Sequence, residues 1–540
     1  MIKDAPLPQA ASNQWAAPEA GAVSATRPKR DLCPLLMALV ACAILLYTAG
    51  CIFVGSYDND VWFILATGEY ILAHGIPYTN PFSIQPDLGF VAQQWLYCVI
   101  VYLIYKPFGF VGLAIFVSAL YLAFGASLFW VGRYLRRGRT NDLLLLVFVF
   151  FCLVGVTSYA SIRPHLLSMT AFVWVVYLCE SYRRTGKLSR LIGLPLIVVV
   201  HVNIHAAMAP YDLFIMGCYA LPDLLAPFHR RGKLLGIGFE QASYARIPLW
   251  VVIAISAGAL FVNPYTVKGA LYLFLSFGSA GYKDNIKEMG ALRPAGSYIT
   301  MIVTLWMLAA CFVAGRLSLK RMNLPLMLLA LASIVAALLY VRNQWLAPLF
   351  CFLFIAWGTA QTRPAAALRE EAGRKGRALG LVILAAGVAV SVVVALFQVP
   401  ALEELPENNG RTPVNTADYL DRIGADKRTT QVLTFFNAGG YLEYRGYKVN
   451  IDPRPELWSP AMTGQTIDYY KEYVDMSTGD ISFSAYSQRF DFDVLIFPTE
   501  SGAGSYYKDN EDYVAIPSGE GYRAYAKKSW LSMYDPNAAT

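Results

Sequence analysis

Gly55-Ser-Tyr-Asp58-Asn-Asp60-Val-Trp62-Phe-Ile-Leu-Ala-Thr67-Gly-Glu-Tyr-Ile-Leu-Ala-His74-Gly75 follows directly on an apolar run, Cys33 to Gly55, that is long enough to cross a bilayer. That run lacks a small-residue cleavage site, so it reads as an uncleaved anchor and not a signal peptide. Two aspartates therefore stand at the outer end of a membrane span. Asp60 can N-cap a helix running to Gly75. Heptad spacing then puts Asp60, Thr67 and His74 on one polar stripe, opposite Ile64, Leu65, Ile71 and Leu72, which predicts an amphipathic helix lying in the interface plane. Two carboxylates this close, at a surface where desolvation is costly, suit the preparation of a general base. The plainer reading is a helix cap with a solvated neighbour.

The composition around this stretch excludes a soluble globular chain. Of 540 residues, 56% are hydrophobic and only 15% charged, against roughly 25% charged in soluble domains. Apolar runs recur to Val399, with further spans expected near 109–132, 143–161, 165–180, 191–208, 211–227, 247–263, 297–315, 323–341, 344–361 and 378–398, about 11 in all. Pro195, Pro210, Asp212 and Pro222 interrupt the pair 191–208 and 211–227. Residues 1 to 398 hold 31 Lys+Arg against 16 Asp+Glu, whereas 399 to 540 hold 13 against 21. The basic residues gather in the tail and in alternate loops, so the positive-inside rule puts the N-terminus in the cytoplasm and the C-terminal region outside. Lipid and cytoplasm account for this basic excess, and nucleic acid is not implied.

The expected organisation is a disordered cytoplasmic tail at 1–32, a transmembrane domain at 33–398 whose first external loop is 56–108, and an extracytoplasmic α/β domain at 399–540. In the last, short β-rich runs (431–436, 447–451, 492–497, 513–516, 522–526) mix with predicted helices at 413–423 and 463–475. All nine cysteines lie in or beside apolar runs, so neither a disulfide framework nor a Cys-x-x-Cys metal site is present.

Several other polar residues belong to the same external face: Arg163-Pro-His165, His201-Val-Asn203-Ile-His205, Asn263-Pro-Tyr265, Glu288, and Arg342-Asn343. Ionisable groups at this depth normally face a cavity. Arg163 and Arg342 suit a phosphate, because guanidinium is a planar fork that keeps its charge when partly desolvated. The alternatives are snorkelling to headgroups for the arginines and plain helix termination for Asn263-Pro264. His201 and His205, four apart, resemble half of a zinc site, but no third ligand is evident and a satisfied buried pair fits as well. The fourteen Tyr after 399 suit either sugar rings or strand propensity.

An aspartate pair past the first span, an external helix, many further spans and an external C-terminal domain resemble the GT-C superfamily of polyprenyl-phosphate-sugar glycosyltransferases. Asp58-x-Asp60-x-Trp62 with Thr67-Gly68, Pro77-Tyr-Thr-Asn-Pro81-Phe-Ser83 and Gln94-Trp95-Leu96 look like a bacterial group of GT-C-like membrane proteins. Arg163-Pro164, Asn203-x-His205, Asn263-Pro264-Tyr265 and Arg342 follow in that group's order. The resemblance implies a multi-pass protein of the bacterial cytoplasmic membrane. It would move a hexosyl or pentosyl unit from a polyprenyl-phosphate donor to a glycan, lipid or protein hydroxyl, with inversion. Asp58 or Asp60 would be the base, Arg163, Arg342, His165 and His205 would hold the donor phosphate, and Trp62, His74, Gln93, Gln94, His201, Asn203, Asn263, Tyr265 and Glu288 would line the substrate site. The group often carries an acid or His just before Trp-Leu, where this chain has Gln93 and Gln94; Gln binds a hydroxyl but takes no proton. A divalent cation fits between the Asp pair and a phosphate, although too few carboxylates are visible to demand one. Two other classes compete: a transporter or lipid-linked-sugar flippase, for which matching broken helices are missing from the pattern, and a scaffold for which Asp58 and Asp60 are dispensable.

Overall fold

The computed structural model describes residues 32–137, 142–225, 233–234, 237–238, 246–276, 290, 298–316, 322–359, 374–408, 412–487, 489–500 and 511–538. The expected N-terminal tail and Glu288 lie outside the described residues.

A helix stands in each region where the apolar pattern predicts a span. In chain order these are α1 (Leu32–Tyr47, continuing through a π turn at Thr48–Ile52 into Phe53–Gly55), α3 (Trp95–Leu135), α4 (Asp142–Gly155), α5 (His165–Thr185), α6 (Ser189–Ile204), α7 (Pro210–Leu225), α8 (Arg246–Ala259), α9 (Tyr298–Arg316), α10 (Leu324–Leu339), α11 (Leu346–Thr359) and α12 (Arg374–Asn408), with α2 (Val61–His74) in the first loop. Among the described residues, three stretches are long and apolar enough to cross a membrane: Pro34–Gly55, Trp95–Leu135 and Ala378–Glu404. α3 begins at Trp95, ahead of the span start expected near 109. The sequence pattern breaks at Pro107 and Gly109, and the chain does kink there, with Gly109 at φ 56°, but it resumes as helix on the other side.

The packing follows the hydrophobic faces. α1 lies along α12, where the Cys42 thiol donates to the Ile383 carbonyl at 3.3 Å. α11 is apolar all round and buried from Leu346 to Gly358, as expected of a helix at the centre of a bundle. α2 departs from the predicted interfacial helix. Every residue from Val61 to Gly68 is buried, because α2 is held between α3 on one side and α14 (Phe436–Tyr444) of the C-terminal domain on the other. Gly68 permits the first contact, since a Cβ there would collide with the Cys98 carbonyl.

The C-terminal domain is a mixed sheet in the order β2-β1-β3-β5-β4, from β1 (Gln431–Thr434), β2 (Lys448–Val449), β3 (Val494–Pro498), β4 (Tyr513–Ile516) and β5 (Tyr522–Lys527). β1 runs parallel to β2 and β3, while β5 is antiparallel to β3 and β4. All five strands fall where the sequence predicts them. Helices α13 (Val414–Arg422) and α15 (Tyr469–Thr478) flank them, α15 starting later than expected at the Asp468 cap, whose side chain accepts from Lys471 N. α14 was not predicted. The Pro77–Ser83 motif also finds its reason here: Phe82–Ile84 lies alongside β2, exchanging hydrogen bonds with Val449 at 2.9 and 3.0 Å, so the first loop is stitched to the sheet edge.

Candidate active site

A cavity of about 260 Å³ opens where the start of α2, the start of α3, the Arg163-Pro164-His165 turn, the end of α6 and the C-terminal segment Pro453–Leu457 meet. Asp60, Gln93, Gln94, Arg163, His165, His205 and Arg342 all line it.

The aspartates are arranged around one cation. Arg163 Nη2 donates to Asp58 Oδ1 at 3.0 Å, and its Nε lies 2.9 Å from Asp58 Oδ2; Nη2 also lies 2.9 Å from Asp60 Oδ2. Asp60 sits at the N-cap position of α2 but its side chain makes no cap hydrogen bond. Asp58 instead accepts from Asp60 N at 3.1 Å. Both aspartates therefore turn toward Arg163, and Asp60 alone of the two reaches the cavity wall. The Arg163 turn is fixed by Ile162 N, which donates to the Ser56 carbonyl at 2.9 Å. The guanidinium already fills the space between the carboxylates where a bridging cation would sit. Among the described residues no three His, Cys, Asp or Glu side chains converge as a metal site.

On the next wall, the rings of His165 and His205 meet edge to face at 5.3 Å, both buried. Among the described residues the Nδ1 atom of His165 has no hydrogen-bond partner. Arg342 comes from the turn Val341–Asn343, which Tyr159 holds by donating to the Val341 and Arg342 carbonyls at 3.1 and 3.0 Å. Two guanidiniums and two imidazoles thus gather beside the Asp60 carboxylate around a small hollow, an arrangement suited to an anion beside a base.

The fourth wall belongs to the C-terminal domain. Arg454, 8% exposed, pairs with Asp452 and Glu443 at 2.7 and 2.9 Å and donates to Thr67 Oγ1 of α2 at 3.2 Å, with its guanidinium 4.7 Å from the Phe63 ring centre. Burial works against charge on Arg454, but Asp452 outweighs it and holds the guanidinium above its usual value; burial pushes the Glu443 carboxyl well above its ordinary value. Glu456 completes this wall, accepting from Tyr272 OH at 2.9 Å. Sequence reasoning missed Arg454 and Glu456. The available signal was Asp452-Pro-Arg454-Pro-Glu456, three charges spaced by prolines after a short strand.

Other candidates stand outside the cavity. Trp62 is buried against Phe110, Tyr441 and Tyr444 and donates to Tyr57 OH at 3.1 Å. His74 is exposed at the far end of α2, stacked on Tyr70. Asn203 accepts from Trp95 Nε1 and donates to the Val199 and Val262 carbonyls, all at 2.8 Å, so it ties α3 to α6. Asn263 Oδ1 accepts from Tyr265 N at 2.9 Å, closing its own turn, and Tyr265 OH donates to the Pro77 carbonyl at 3.0 Å. Asn203, Asn263 and Tyr265 are committed to holding loops together. Gln93 does line the cavity, and its Oε1 accepts from Ala207 N at 3.1 Å. His201 and His205 both bond Ser168, so they do not act as paired metal ligands.

No family model matches the chain, and no curated protein matches it in sequence. Solved structures match its shape. The oligosaccharyltransferase of Archaeoglobus fulgidus, tethered to an acceptor peptide, superposes with a TM-score of 0.52 at 11% identity, covering 92% of this chain and 74% of that one. The fold is shared with that enzyme. The archaeal oligosaccharyltransferase AglB from the same organism, in complex with an inhibitory peptide and a dolichol-phosphate, superposes with a TM-score of 0.52 at 12% identity over 86% of this chain and 69% of that one. ArnT of Cupriavidus metallidurans bound to undecaprenyl phosphate is a looser likeness, with a TM-score of 0.49 at 10% identity over 91% and 97% of the two chains. In this chain the fold comprises the helical bundle and a C-terminal domain set over the first loop.

Proposed function

We propose that this protein is a membrane glycosyltransferase that moves one sugar, hexosyl or pentosyl, from a polyprenyl-phosphate carrier to a hydroxyl on the outer side of the bacterial cytoplasmic membrane. The observation that carries the reading is the convergence of Asp60, Arg163, Arg342, His165 and His205, from four separate segments, on one cavity of a GT-C fold. Activated nucleotide sugars stay in the cytoplasm, so an external transferase needs a lipid-borne donor. An apolar groove of about 440 Å³ between α5 and α6, lined by Leu167, Trp174, Leu178, Leu196 and Val200, suits the prenyl chain of such a donor.

In this reading Asp60 is the base and Asp58 its orienting neighbour, since Asp60 faces the cavity while Asp58 holds the Arg163 guanidinium. A donor phosphate competes with both carboxylates for Arg163. Its arrival draws the guanidinium away from Asp60, and the freed carboxylate can then take the acceptor proton. Arg342 and Arg163 stabilise the charge that grows on the departing phosphate, and attack from the opposite face inverts the anomeric centre.

The test is transfer from a panel of polyprenyl-phosphate sugars by the reconstituted protein. Asp60→Asn should lower turnover by roughly 10²–10⁴ while undecaprenyl phosphate still binds, and Arg342→Ala should weaken that binding. Wild-type turnover in Asp60→Asn would remove the base assignment, and unchanged lipid-phosphate affinity in Arg342→Ala would remove the clamp.

A further inference from the structure

From His205 on the cavity wall a buried chain of polar side chains runs inward through three residues that the reaction above does not use. Asp212 Oδ2, at the start of α7, is 2.8 Å from His201 Nδ1; His201 Nε2 is 2.9 Å from Ser168 Oγ; and Ser168 Oγ is 2.8 Å from His205 Nδ1. Asp212 and Ser168 are fully buried, and His201 and His205 nearly so. Only the last member, His205, lines the cavity. The fold places them deliberately close: His201 and His205 are four residues apart at the end of α6, and Ser168 stands in the first turn of α5, beyond Pro164.

We propose that Asp212, His201 and Ser168 are a proton relay acting through His205, so that the cavity can pass one proton to an ion pair in the protein interior. The relay rests on the reading of this cavity as a phosphate site. A hydroxyl has one hydrogen, and Ser168 lies between two ring nitrogens at distances shorter than its 3.4 Å contact with the Pro164 carbonyl. The chain therefore has two consistent polarities. In the first, His201 Nδ1–H donates to the Asp212 carboxylate, Ser168 O–H donates to His201 Nε2, and His205 Nδ1–H donates to Ser168 Oγ, leaving the His205 Nε2 lone pair toward the cavity. When Nε2 gains a proton, His205 gives its Nδ1 proton to Ser168 as Ser168 gives its own to His201. His205 ends neutral with an N–H facing the cavity, and His201 ends as imidazolium beside the Asp212 carboxylate. One proton has entered, and no electrons have moved.

Two features favour a working relay over a static tie. Among the described residues Asp212 Oδ1 has no hydrogen-bond partner although the residue is fully buried, a costly state for a carboxylate whose only function is to hold one ring. The charged and titratable groups around the His205 end are His165, Arg163 and Arg342, with Asp60, Glu456, Arg454, Cys98 and Tyr272 on the other walls of the cavity. Positive charge is repelled beside the two guanidiniums and held by Asp212 at the far end. The relay turns the His205 edge from an acceptor into a donor for a phosphate oxygen without adding a cation to that crowded wall.

The first experiment needs no ligand. ¹⁵N NMR of histidine-labelled full-length protein reports the tautomer of each ring across pH, with His201 and His205 assigned by single His→Asn variants. The relay predicts that on acidification His205 switches from the Nδ1–H to the Nε2–H form as His201 becomes imidazolium, in one linked step. Ser168→Ala should unlink them and Ser168→Thr, which keeps the hydroxyl, should restore the link. Rings that titrate independently in the wild type, or a link that survives Ser168→Ala, would overturn the relay. Calorimetry of undecaprenyl phosphate binding in buffers of different ionisation enthalpy then reads its use: the wild type and Ser168→Thr should take up about one more proton than Ser168→Ala, and equal uptake would overturn the coupling. A linked titration in a protein that does not bind undecaprenyl phosphate would leave the relay standing and defeat the proposed function alone.

Discussion

At the scale of single residues, the same side chain can cap a helix or charge a cavity, and neighbours far away in sequence decide which. Asp58 and Asp60 were conspicuous in the sequence because they follow a span, but Asp60 occupies the cap position without capping, since Arg163, 105 residues from Asp58, draws both carboxylates toward it. Gly68 shows the same dependence. The residue looks like a weak point in a helix, yet it is where α2 touches α3, with Tyr102 Cβ 2.9 Å from the place a Cβ would take. Gly68→Ala should destabilise the protein by about 1–3 kcal/mol through overpacking, visible as a lower melting temperature. Gly55→Ala, at a helical glycine with nothing within 4 Å of the added Cβ, should leave the melting temperature unchanged or raise it.

At the scale of elements, length and apolarity were legible and packing partners were not. The strands of the C-terminal sheet and the long helices could be read from local periodicity. α14 could not, because Gly439-Gly440 looks like a break when it is a close approach: Gly440 packs on the backbone of Phe63, and Gly439 lies against the Ile451 carbonyl. For the same reason α2 was read as amphipathic, when a second domain covers the face that would otherwise be wet. Arg454 joins these elements, bonding α2 through Thr67 and the domain through Asp452 and Glu443. Arg454→Met removes the cation and leaves carboxyl groups buried beside Phe63. It should cost about 3–5 kcal/mol and make the C-terminal domain more open to limited proteolysis; an unchanged digestion rate would show that the cluster does not hold the domain on the bundle.

At the scale of the whole molecule, the C-terminal domain is an acidic body and its stability should respond to pH. Burial alone would raise the Asp421 carboxyl, but hydrogen bonds from Lys427, Arg445 and Tyr447 outweigh it and hold Asp421 below its ordinary value. A group depressed on folding adds stability that is complete above its unfolded pKa, near 3.9, and is lost as pH falls through the folded one. The protein should therefore lose stability on acidification below about pH 4, and Asp421→Asn should flatten that loss while lowering stability at neutral pH. Glu443, pushed upward by burial, works in the opposite sense: its raised pKa favours the folded state at low pH and costs stability as pH rises past about 4.3, the unfolded carboxyl value. A denaturation series from pH 2.5 to 7 on the wild type and Asp421→Asn separates the two.

Hydropathy and alternation are local properties, carried by a few turns of chain, and from them alone followed the membrane-embedded helices, the sheet-forming tail, and the short list of acids and arginines worth watching. The cavity is a property of contacts across hundreds of residues, such as Thr67 with Arg454, 387 positions apart. No periodicity encodes such pairs. Only the folded chain could bring the C-terminal domain down over α2, make Arg454 and Glu456 part of the wall, and line up Asp212, His201 and Ser168 behind His205, because desolvation and hydrogen bonding act on neighbours in space and not on neighbours in sequence.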